Sequence, residues 1–387
     1  MKEGWVHMTK RKQLKMGVVI DGVGWNYLGW RHPDMPSNAS ENFEYYKQKA
    51  QKAEAGKFDL IFLADVSHIG PGMIPHYLSK FEGITILSAL SAVTSRIGLT
   101  ATIATSYADP FIVARQLASL DKISDGRAGW NAITSSPGGL ANHSRSHIPR
   151  SELYRLKKEF LEIAKGLWDS YEDDAFIRDK ESGVFLDTSK MHALNHRGDF
   201  FSVDGPINIS SSRQGRPVVF QAGSSEEFKN LAKHHAEGVF VINNNLEEVK
   251  EFSKDLKSRA VSVGRSADDL LIMPTQNPIV GRTEEEAEKK YQELVNLYPY
   301  AEWLPKPTFF GSAEKVADQI QHWYEEGAMD LLMLRQDHPN GIDDFIDLVI
   351  PILQERGIFR KEYESDTLRG NLGLPYPENR YAKEKMK

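Results

Sequence analysis

Uncharged polar side chains lie at the ends of several short apolar segments in this sequence. Gln221-Ala-Gly-Ser-Ser225 ends one segment and Asn243–Asn245 follows another. Further hydroxyl and amide groups occur at Thr102, Thr105 and Asn131. Such groups suit a planar, hydrogen-bonding organic ligand, whereas a metal site would bring several His and carboxylate ligands together. The pattern predicts a pocket for an organic molecule and no metal.

Gly223, Ser224 and Ser225 stand directly before a helical pattern that begins at Glu226. A glycine here lets the backbone approach a ligand closely, and the free N–H groups and dipole of a helix N-terminus attract a phosphate. Either serine could instead serve only as the N-cap of the helix, which the pattern by itself favours. The segment is a candidate phosphate site with an N-cap as the alternative.

The sequence contains no cysteine, which excludes disulfides, thiolate nucleophiles, iron–sulfur clusters and cysteine-ligated zinc. Redox chemistry would therefore require a bound cofactor. His143 and His147 have the i,i+4 spacing of a metal pair, but their Ser-, Gly- and Pro-rich surroundings and the lack of a third ligand favour ordinary loop histidines. No Gly-x-Ser-x-Gly or Gly-x-x-x-x-Gly-Lys motif supports a hydrolase or a nucleoside triphosphatase.

The composition is that of a soluble globular protein, with 387 residues, of which 40% are hydrophobic and 26% charged. The formal net charge is −6 and no long basic block occurs, which argues against nucleic acid as a partner. Every apolar run is far shorter than the ~20 residues that a membrane span needs, and no apolar stretch follows the basic N-terminus. We predict a cytoplasmic protein without a membrane partner.

Short β-branched segments alternate with longer helical patterns, eight times along the chain. Length alone allows two or three domains, but this order predicts an α/β protein with a (β/α)8 TIM barrel as a single domain, residues 1–387. A doubly wound sheet would usually carry a Gly-rich turn after its first strand, and Asp21-Gly-Val-Gly24 lacks the third glycine. The predicted strands are Met16–Asp21, Leu60–Asp65, Ile97–Thr102, Ala128–Ile133, Val218–Gly223, Gly238–Ile242, Leu270–Ile279 and Asp330–Leu334. The predicted helices are Glu41–Gly56, Ile84–Thr94, Ile112–Ile123, Glu152–Ser170, Glu226–Ala236, Leu246–Val263, Glu284–Leu297, Ala313–Gly327 and Asp343–Glu355.

Two segments interrupt the alternation. Residues 176–214, rich in Asp, Gly, Ser and His, form an insertion before the fifth strand, and residues 358–387 form a C-terminal tail. Excursions of this length are commonly lids or oligomer contacts. We expect one of these roles for both segments.

Five segments together resemble one known family. They are Ser119–Ser135, which contains Gly-Trp-Asn, and Leu167–Ala175, Asp204–Pro206, Gln221–Ser225 and Val349–Arg360. These segments occur in the same order as in the bacterial-luciferase-like two-component flavin monooxygenases and are similar to theirs. The resemblance extends from Lys15 to Tyr381 and is to the subgroup of nitrilotriacetate monooxygenase component A and the dibenzothiophene-sulfone monooxygenases. The resemblance implies a (β/α)8 barrel that uses reduced FMN (FMNH2) from a separate NAD(P)H:FMN reductase. It also implies that the enzyme uses O2 to oxygenate a small organic substrate. The family further suggests that the protein is a homodimer or homotetramer.

The resemblance further implies residues that bind the flavin ring system. The family aspartate at the end of the second strand matches Asp65, and two threonines of the third strand match Thr102 and Thr105. The asparagine of the Gly-Trp-Asn motif matches Asn131, which becomes a candidate for both cofactor binding and catalysis. All four residues belong to strands that would end at one mouth of the barrel.

The family serines that hold the FMN phosphate match Ser224 and Ser225, which favours that role over the cap. Tyr154 matches the tyrosine of a His-x-x-Arg-Tyr motif that contributes to the same site, but Arg150 occupies the place of the histidine. Arg150, or His147 if the loop is shifted, would then supply the catalytic positive charge near the flavin.

The family usually has a long excursion over the active site where this chain has only the short connection 298–309. This difference predicts a more open pocket, for whose apolar wall Trp25, Trp30, Phe62 and Trp130 are candidates. Two alternatives stay open. One is an F420-dependent or flavin-dependent oxidoreductase of the same barrel superfamily, and the other is a non-catalytic flavin-binding paralogue.

Overall fold

The computed structural model describes residues 13–66, 68–134, 148–300 and 304–384. Eight parallel strands close into a barrel in which each strand pairs with the next along the chain and the last pairs with the first. Lys15, for example, lies beside Leu331 in the closing pair. The predicted (β/α)8 TIM barrel is confirmed. The barrel strands are Lys15–Val19, Leu60–Leu63, Gly98–Ala104, Ala128–Ile133, Val218–Ala222, Gly238–Val241, Leu271–Gln276 and Leu331–Leu334.

Helices follow the strands and cover the outside of the barrel. Many of these helices begin with a side-chain cap. Asn42, Asp109 and Thr283, for example, each accept N–H groups from the first turn. The main helices are Phe43–Ala55, Gly83–Ser91, Pro110–Ile123, Leu153–Trp168, Glu226–His235, Leu246–Ser262, Glu284–Val295 and Ala313–Glu325. Shorter helices are Pro75–Leu78, Gly341–Asp344, Ile350–Glu355, Leu368–Leu372 and Arg380–Glu384.

The seventh predicted strand, Leu270–Ile279, is wrong in its extent. The barrel strand ends at Gln276, and Pro278, which has no N–H to donate to a ladder, follows two residues later. The chain then forms a separate two-stranded parallel sheet from Ile279–Gly281 and Phe310–Ser312. One predicted strand is therefore two strands in two different sheets.

The last predicted helix, Asp343–Glu355, is continuous in the chain but not uniform in geometry. An α-helical turn at Gly341–Asp344 widens to a π turn over Phe345–Val349 and then returns to α-helix. Pro351 stands just after the wide turn and lacks the N–H that would donate to the carbonyl of Asp347. The proline accounts for the change in helical geometry.

Side chains alternate between the barrel interior and the helix layer, and this alternation corrects one prediction for the pocket wall. Trp130 points outward, packs 5.8 Å from Phe160 and donates its indole N–H to the Ile103 carbonyl. Trp130 therefore does not form the wall of the mouth. Phe62 is buried inside the barrel, where its ring centroid lies 4.2 Å from that of Phe240, and its place in the wall stays a prediction.

The C-terminal tail closes the barrel at the amino ends of the strands. Leu368 inserts among the interior side chains, so close to Gly98 that a Cβ there would lie 2.4 Å from the Leu368 methyl group. The Arg360 guanidinium pairs with Asp59, just before the second strand, at 2.6 Å. The expectation of a lid is therefore wrong for residues 358–384, because their apolar side chains complete the floor of the barrel.

A second buried ion pair fixes the tail. The Arg369 guanidinium donates to Glu237 at 3.2 Å and to the carbonyls of Gln214 and Pro375 at 3.2 and 3.1 Å. Burial alone would raise the pKa of Glu237, but the Arg369 charge and hydrogen bond outweigh burial and lower this pKa to about 2. The pair anchors the tail through buried charge.

The insertion 176–214 packs against helix Leu153–Trp168. Glu159 of that helix accepts the N–H groups of Phe200 and Phe201 at 3.1 and 2.8 Å, in the turn of a short antiparallel hairpin. Phe201 is buried in the cluster between this helix and the barrel. The segment covers the flank and lines neither cavity near the mouth, so the lid role is wrong here too, and an oligomer contact remains a prediction.

Candidate active site

The carboxyl ends of the strands form an open mouth at which polar side chains gather, as expected for this fold. Asp21 follows the first strand, Thr102 and Asn131 belong to the third and fourth, and Arg335 follows the eighth. All four side chains are buried. A ring of polar groups is therefore held on the rigid part of the molecule.

Asn131 and Thr102 lie side by side on neighbouring strands. The Asn131 Nδ2 donates to Thr102 Oγ1 at 3.1 Å, while the Asn131 Oδ1 is buried and has no hydrogen-bond partner in the described part of the chain. A buried amide oxygen normally has a donor, and its loss costs about 1–3 kcal/mol. The oxygen is thus a ready acceptor for a ligand N–H group.

The other two residues predicted to contact the flavin ring are engaged differently. Asp65 is half-buried, and its Oδ1 accepts from Lys80 Nζ at 3.0 Å and from the Val66 N–H at 2.8 Å. Thr105 is buried, and its hydroxyl donates to the Ile133 carbonyl at 3.2 Å. Asp65 keeps an oxygen for a ligand, whereas the Thr105 hydroxyl donates to the end of the fourth strand.

The predicted phosphate segment has the geometry of a helix cap. Ser225 Oγ accepts the Phe228 N–H at 3.2 Å and lies 3.4 Å from the Tyr154 hydroxyl. Gly223 has φ +152°, and a Cβ there would lie 2.6 Å from the Phe228 ring, so the position requires glycine. The N-cap alternative holds for Ser225, and Tyr154 is brought to the same point as predicted.

Ser224 is exposed at the edge of a cavity of about 620 Å³ between the fifth and sixth strands and the helices that follow them. Phe240 and Phe252 line its apolar part, and Lys229 and Asp255 line its polar part. The Lys229 ammonium pairs with Asp255 at 2.8 Å. The exposed serine and the adjoining helix terminus face open space, as a phosphate site requires.

Gln221 does not belong to the mouth, contrary to the expectation from its place at the strand end. Val219, two residues earlier, packs in the cluster between the barrel and the helices, and alternation puts Gln221 on the same outer face. Both amide atoms of Gln221 are buried without a partner. The helix layer behind Gly223 therefore contains unsatisfied polar atoms.

Arg150 and His147 are the two candidates for the basic group near the flavin. His143 and His147 lie outside the described residues. Arg150 begins a short turn, Arg150–Glu152, just before helix Leu153–Trp168, and its side chain is outside the described part. Their roles remain predictions.

A buried cation that the sequence analysis missed lies at the centre of the mouth. Arg335 Nε donates to Asp21 Oδ2 at 2.9 Å, and the guanidinium carbon lies 3.3 Å from the Trp25 ring centroid. Asp21 and Arg335 follow the first and last strands, which pair directly, so the closing of the barrel by itself could have suggested the contact. Trp25 takes the wall position predicted for it, whereas Trp30 is 42% exposed and was wrongly assigned.

A neutral histidine borders this pair. His76 Nδ1 is 2.9 Å from Ser40 Oγ, and its Nε2 is 3.9 Å from Asp21 Oδ1, which has no hydrogen-bond partner. Burial lowers the pKa of His76 to about 4, despite the nearby Asp21 carboxylate. At neutral pH the mouth therefore holds an imidazole that carries no charge.

A cavity of about 340 Å³ opens between the last three strands and the connection 298–309. Trp25, Arg335 and Asp337 line it, and residues 304–308 lie on its other side. Asp337 accepts from Asn277 at 2.8 Å, and burial raises the pKa of Asp337 above its ordinary value. The described part of the short connection thus still borders the cavity at the mouth.

His32, Glu293 and His338 form a cluster beside this cavity, with ligand atoms within 4.8 Å of one another. The Nε2 atoms of His32 and His338 lie 3.8 and 3.4 Å from Glu293 Oε2. Their Nδ1 atoms accept backbone N–H groups at 3.2 and 3.3 Å, which leaves the ring hydrogen of each neutral imidazole on Nε2. The cluster therefore suits two imidazole N–H groups that face the Glu293 carboxylate better than it suits a metal ion, which would need the Nε2 lone pairs.

Comparison with known proteins identifies the family. Residues 26–337 match the family described as luciferase-like monooxygenase. The chain belongs to this family. Within the luciferase-like monooxygenases it is 44% identical to N-acetyl-S-(2-succino)cysteine monooxygenase of Bacillus subtilis (strain 168), over 97% of this chain and 100% of that protein. It is 34% identical to nitrilotriacetate monooxygenase component A of Aminobacter aminovorans, over 97% and 100%. The predicted family and the prediction of an enzyme are confirmed.

Solved structures of this luciferase-like group superpose closely. The long-chain alkane monooxygenase matches with a TM-score of 0.87 and 30% identity, over 96% of this chain and 99% of that one. The EDTA monooxygenase from Chelativorans sp. BNC1 matches with a TM-score of 0.86 and 26% identity, over 95% and 100%. An F420-dependent tetrahydromethanopterin reductase matches at 13% identity and a TM-score of 0.61, which shows a shared fold alone.

This luciferase-like chain lacks residues that the relative from Bacillus subtilis has. Their alignment runs over 439 positions, so at least 52 of these contain no residue of the 387-residue chain. The helices in the described ranges include none with the length and apolar character to cross a membrane.

The residues at the mouth fit a flavin mononucleotide. Among the described residues, the Asn131 Oδ1 and the Asp21 Oδ1 are buried acceptors without partners, as a ring system with N–H groups requires. At the other side, Gly223 leaves room for a close approach to an exposed helix N-terminus bearing Ser224 and Ser225. Asn131 lies on the fourth strand and Gly223 follows the fifth, and these two strands are neighbours in the barrel.

Proposed function

We propose that this chain is the oxygenase component of a two-component flavin monooxygenase. It takes FMNH2 from a separate NAD(P)H:FMN reductase and uses O2 to oxygenate a small organic substrate. The observation that carries this proposal is the buried Asn131 Oδ1 at the mouth of the barrel, one strand from the glycine-containing helix terminus. No described residue donates a hydrogen bond to this oxygen. The likeness to nitrilotriacetate monooxygenase component A supports the division into two components.

In this proposal the phosphate end and the ring end of the flavin are held by different strands. Ser224 and Ser225 with the free N–H groups of helix Glu226–His235 bind the phosphate, and Tyr154 adds its hydroxyl. Asn131, held by Thr102, accepts from the ring system. The predicted contributions of Asp65 and Thr105 to the ring site belong to the same proposal.

Bound reduced FMN would supply the two electrons that activate O2, so that one oxygen atom enters the substrate and the other leaves as water. The protein orients the reactants and keeps water out. Trp25 and Arg335 close the cavity at the mouth from one side, and Leu304 and Pro305 close it from the other. A positive charge from Arg150 or His147 would favour anionic forms of the cofactor.

The substrate proposed for a first test comes from the relative with 44% identity, which is named for N-acetyl-S-(2-succino)cysteine. The purified chain, FMN, NADH and an FMN reductase from another source would be incubated with this thioether under 18O2. One 18O atom should appear in a product only when all components are present. The homodimer or homotetramer and the cytoplasmic location stay predictions of the same proposal.

The two alternatives give different results in the same assay. An F420-dependent oxidoreductase would reduce or oxidise F420 and would show no dependence on FMN. A non-catalytic flavin-binding paralogue would bind FMN but yield no labelled product with any substrate tried.

A further inference from the structure

Lys157 is a deeply buried lysine behind the candidate phosphate segment. It lies in the second turn of helix Leu153–Trp168 and is 1% exposed. Within the described ranges, no hydrogen bond or ion pair engages its ammonium group, which lies 5.8 Å from the centroid of the Phe228 ring. Lysine is rarely buried without a partner, so this residue needs an explanation.

The packing of two helices places Lys157 close to the phosphate segment. Helices Leu153–Trp168 and Glu226–His235 both begin at the mouth, where Tyr154 meets Ser225. One turn farther along, about 5 Å, Lys157 meets Phe228, and the Phe228 ring in turn lies directly against Gly223. Because Cα–Cβ bonds tilt toward the N-terminus of a helix, the lysine side chain leaves its helix toward the mouth.

The other basic side chains described in the first two turns of these helices are neutralised by acidic partners. Arg155 pairs with Asp199 at 2.5 Å, Lys158 with Glu162 at 3.7 Å, and Lys229 with Asp255 at 2.8 Å. Lys157 has no such partner. A positive charge is therefore available next to the helix terminus, in surroundings of low polarity where charge acts over a longer range.

Burial without a partner destabilises the charged form of Lys157. Burial lowers the pKa of Lys157 to about 7. An anion bound at the helix terminus would favour the charged form and offset the desolvation. An apolar side chain of similar length would fill the same space without that cost.

We propose that Lys157 is the counter-charge for the phosphate group of the flavin and makes the site selective for FMN over riboflavin. It acts through the intervening protein from behind the helix terminus and is a positioning residue, not a catalytic one. This inference rests on the proposed flavin-dependent function. At a separation of about 10 Å and an effective dielectric constant near 20, a unit charge pair changes affinity about tenfold.

The test compares reduced FMN with reduced riboflavin, which lacks only the phosphate. Both are titrated into the full chain without O2 at pH 7, and tryptophan fluorescence reports binding. Lys157→Met should weaken FMN binding at least tenfold and change riboflavin binding less than twofold. Lys157→Gln provides a second uncharged variant if the methionine variant folds poorly.

Lys165→Met is the matched control. Lys165 is on the same helix, burial likewise lowers its pKa to about 7, and it donates to the His235 carbonyl at 3.4 Å, far from the mouth. Its variant should leave the ratio of FMN to riboflavin affinity unchanged. An effect equal to that of Lys157→Met would overturn the proposal, because it would reflect a general loss of helix packing.

The outcomes separate this inference from the function on which it rests. If the unaltered chain binds FMN at least tenfold more tightly than riboflavin and Lys157→Met abolishes the difference, the inference stands. If the unaltered chain binds both flavins equally, or if the variant keeps its preference for FMN, Lys157 is not the counter-charge although the flavin function stands. If the chain binds neither flavin, the proposed function fails as well.

Discussion

Asn131 Nδ2 donates to Thr102 Oγ1 across 3.1 Å, and this contact fixes the amide so that the Asn131 Oδ1 has no partner among the described residues. The two residues are paired in register on the third and fourth strands. A strand framework thus holds a costly unsatisfied acceptor at the mouth of the barrel. Such an acceptor is explained if a ligand supplies the donor.

Replacing Asn131 tests that explanation. Asn131→Leu should weaken binding of reduced FMN about tenfold, since a hydrogen bond to a buried acceptor contributes about 1–1.5 kcal/mol, and it should not lower the melting temperature. Thr100→Val is the control, because Thr100 Oγ1 is also buried and unpartnered among the described residues, but Thr100 lies two residues before Thr102 on the third strand. Unchanged FMN affinity in Asn131→Leu would remove the main argument for the ring site.

The two serines should separate stability from binding. Ser225 caps helix Glu226–His235, so Ser225→Ala should cost about 1 kcal/mol of folding free energy as well as FMN affinity. Ser224→Ala should weaken FMN binding and leave the melting temperature unchanged. Thermal unfolding and flavin titration of both variants decide the question. A Ser224→Ala variant with full FMN affinity would reduce the segment to a cap.

The pair between Arg335 and Asp21 should behave as a buried charge pair. Arg335→Met leaves the Asp21 carboxylate, 1% exposed, without its guanidinium, and should cost about 3–5 kcal/mol in urea unfolding. Asp21→Asn combined with Arg335→Met should recover most of this loss, because no uncompensated charge remains. Equal losses in the single and double variants would show that packing against Trp25, not charge, holds Arg335.

The ion pair at the floor of the barrel predicts a dependence of stability on pH. The pKa of Glu237 is lowered from its ordinary 4.5 to about 2, so its contribution is present above pH 4.5 and is lost as the pH falls from 4.5 toward 2. Glu237→Gln should therefore cost about 3 kcal/mol at pH 7 and distinctly less at pH 3.

Glu362→Gln is the control for that experiment, because Glu362 belongs to an ion pair with Lys57 at 3.0 Å and is 81% exposed. An exposed pair of this kind contributes little. The same loss for Glu237→Gln at both pH values would show that its carboxylate is not the group responsible.

All eight barrel strands lie within a few residues of their predicted places. The sequence predicted the barrel well because the spacing of apolar residues differs strongly between strands and helices. It predicted the face of a side chain less well. Trp130 and Gln221 were assigned to the mouth by their position at strand ends, but a one-residue difference in parity turns a side chain to the helix layer. Asn131, the next residue after Trp130, has the opposite parity, and its side chain therefore lies at the mouth.

Contacts between distant parts of the chain were the hardest to predict. Arg335 and Asp21 are separated by most of the sequence and meet only because the first and last strands pair. The tail was expected to be a lid or an oligomer contact, because its apolar residues Leu368 and Leu372 give no sign in the sequence of which end of the barrel they enter. Lys157 is hidden among helical surface residues, and only packing shows its burial.

The central claim is that this chain binds reduced FMN made by another protein. Its most direct test is an anaerobic titration of the purified chain with reduced FMN and, in parallel, with reduced FAD. One candidate phosphate site lies at Gly223–Ser225, and no dinucleotide fingerprint follows the first strand. We expect saturable binding of one FMN per chain, at least tenfold tighter than the binding of FAD. Equal affinity for the two flavins, or no binding of FMN, would contradict it.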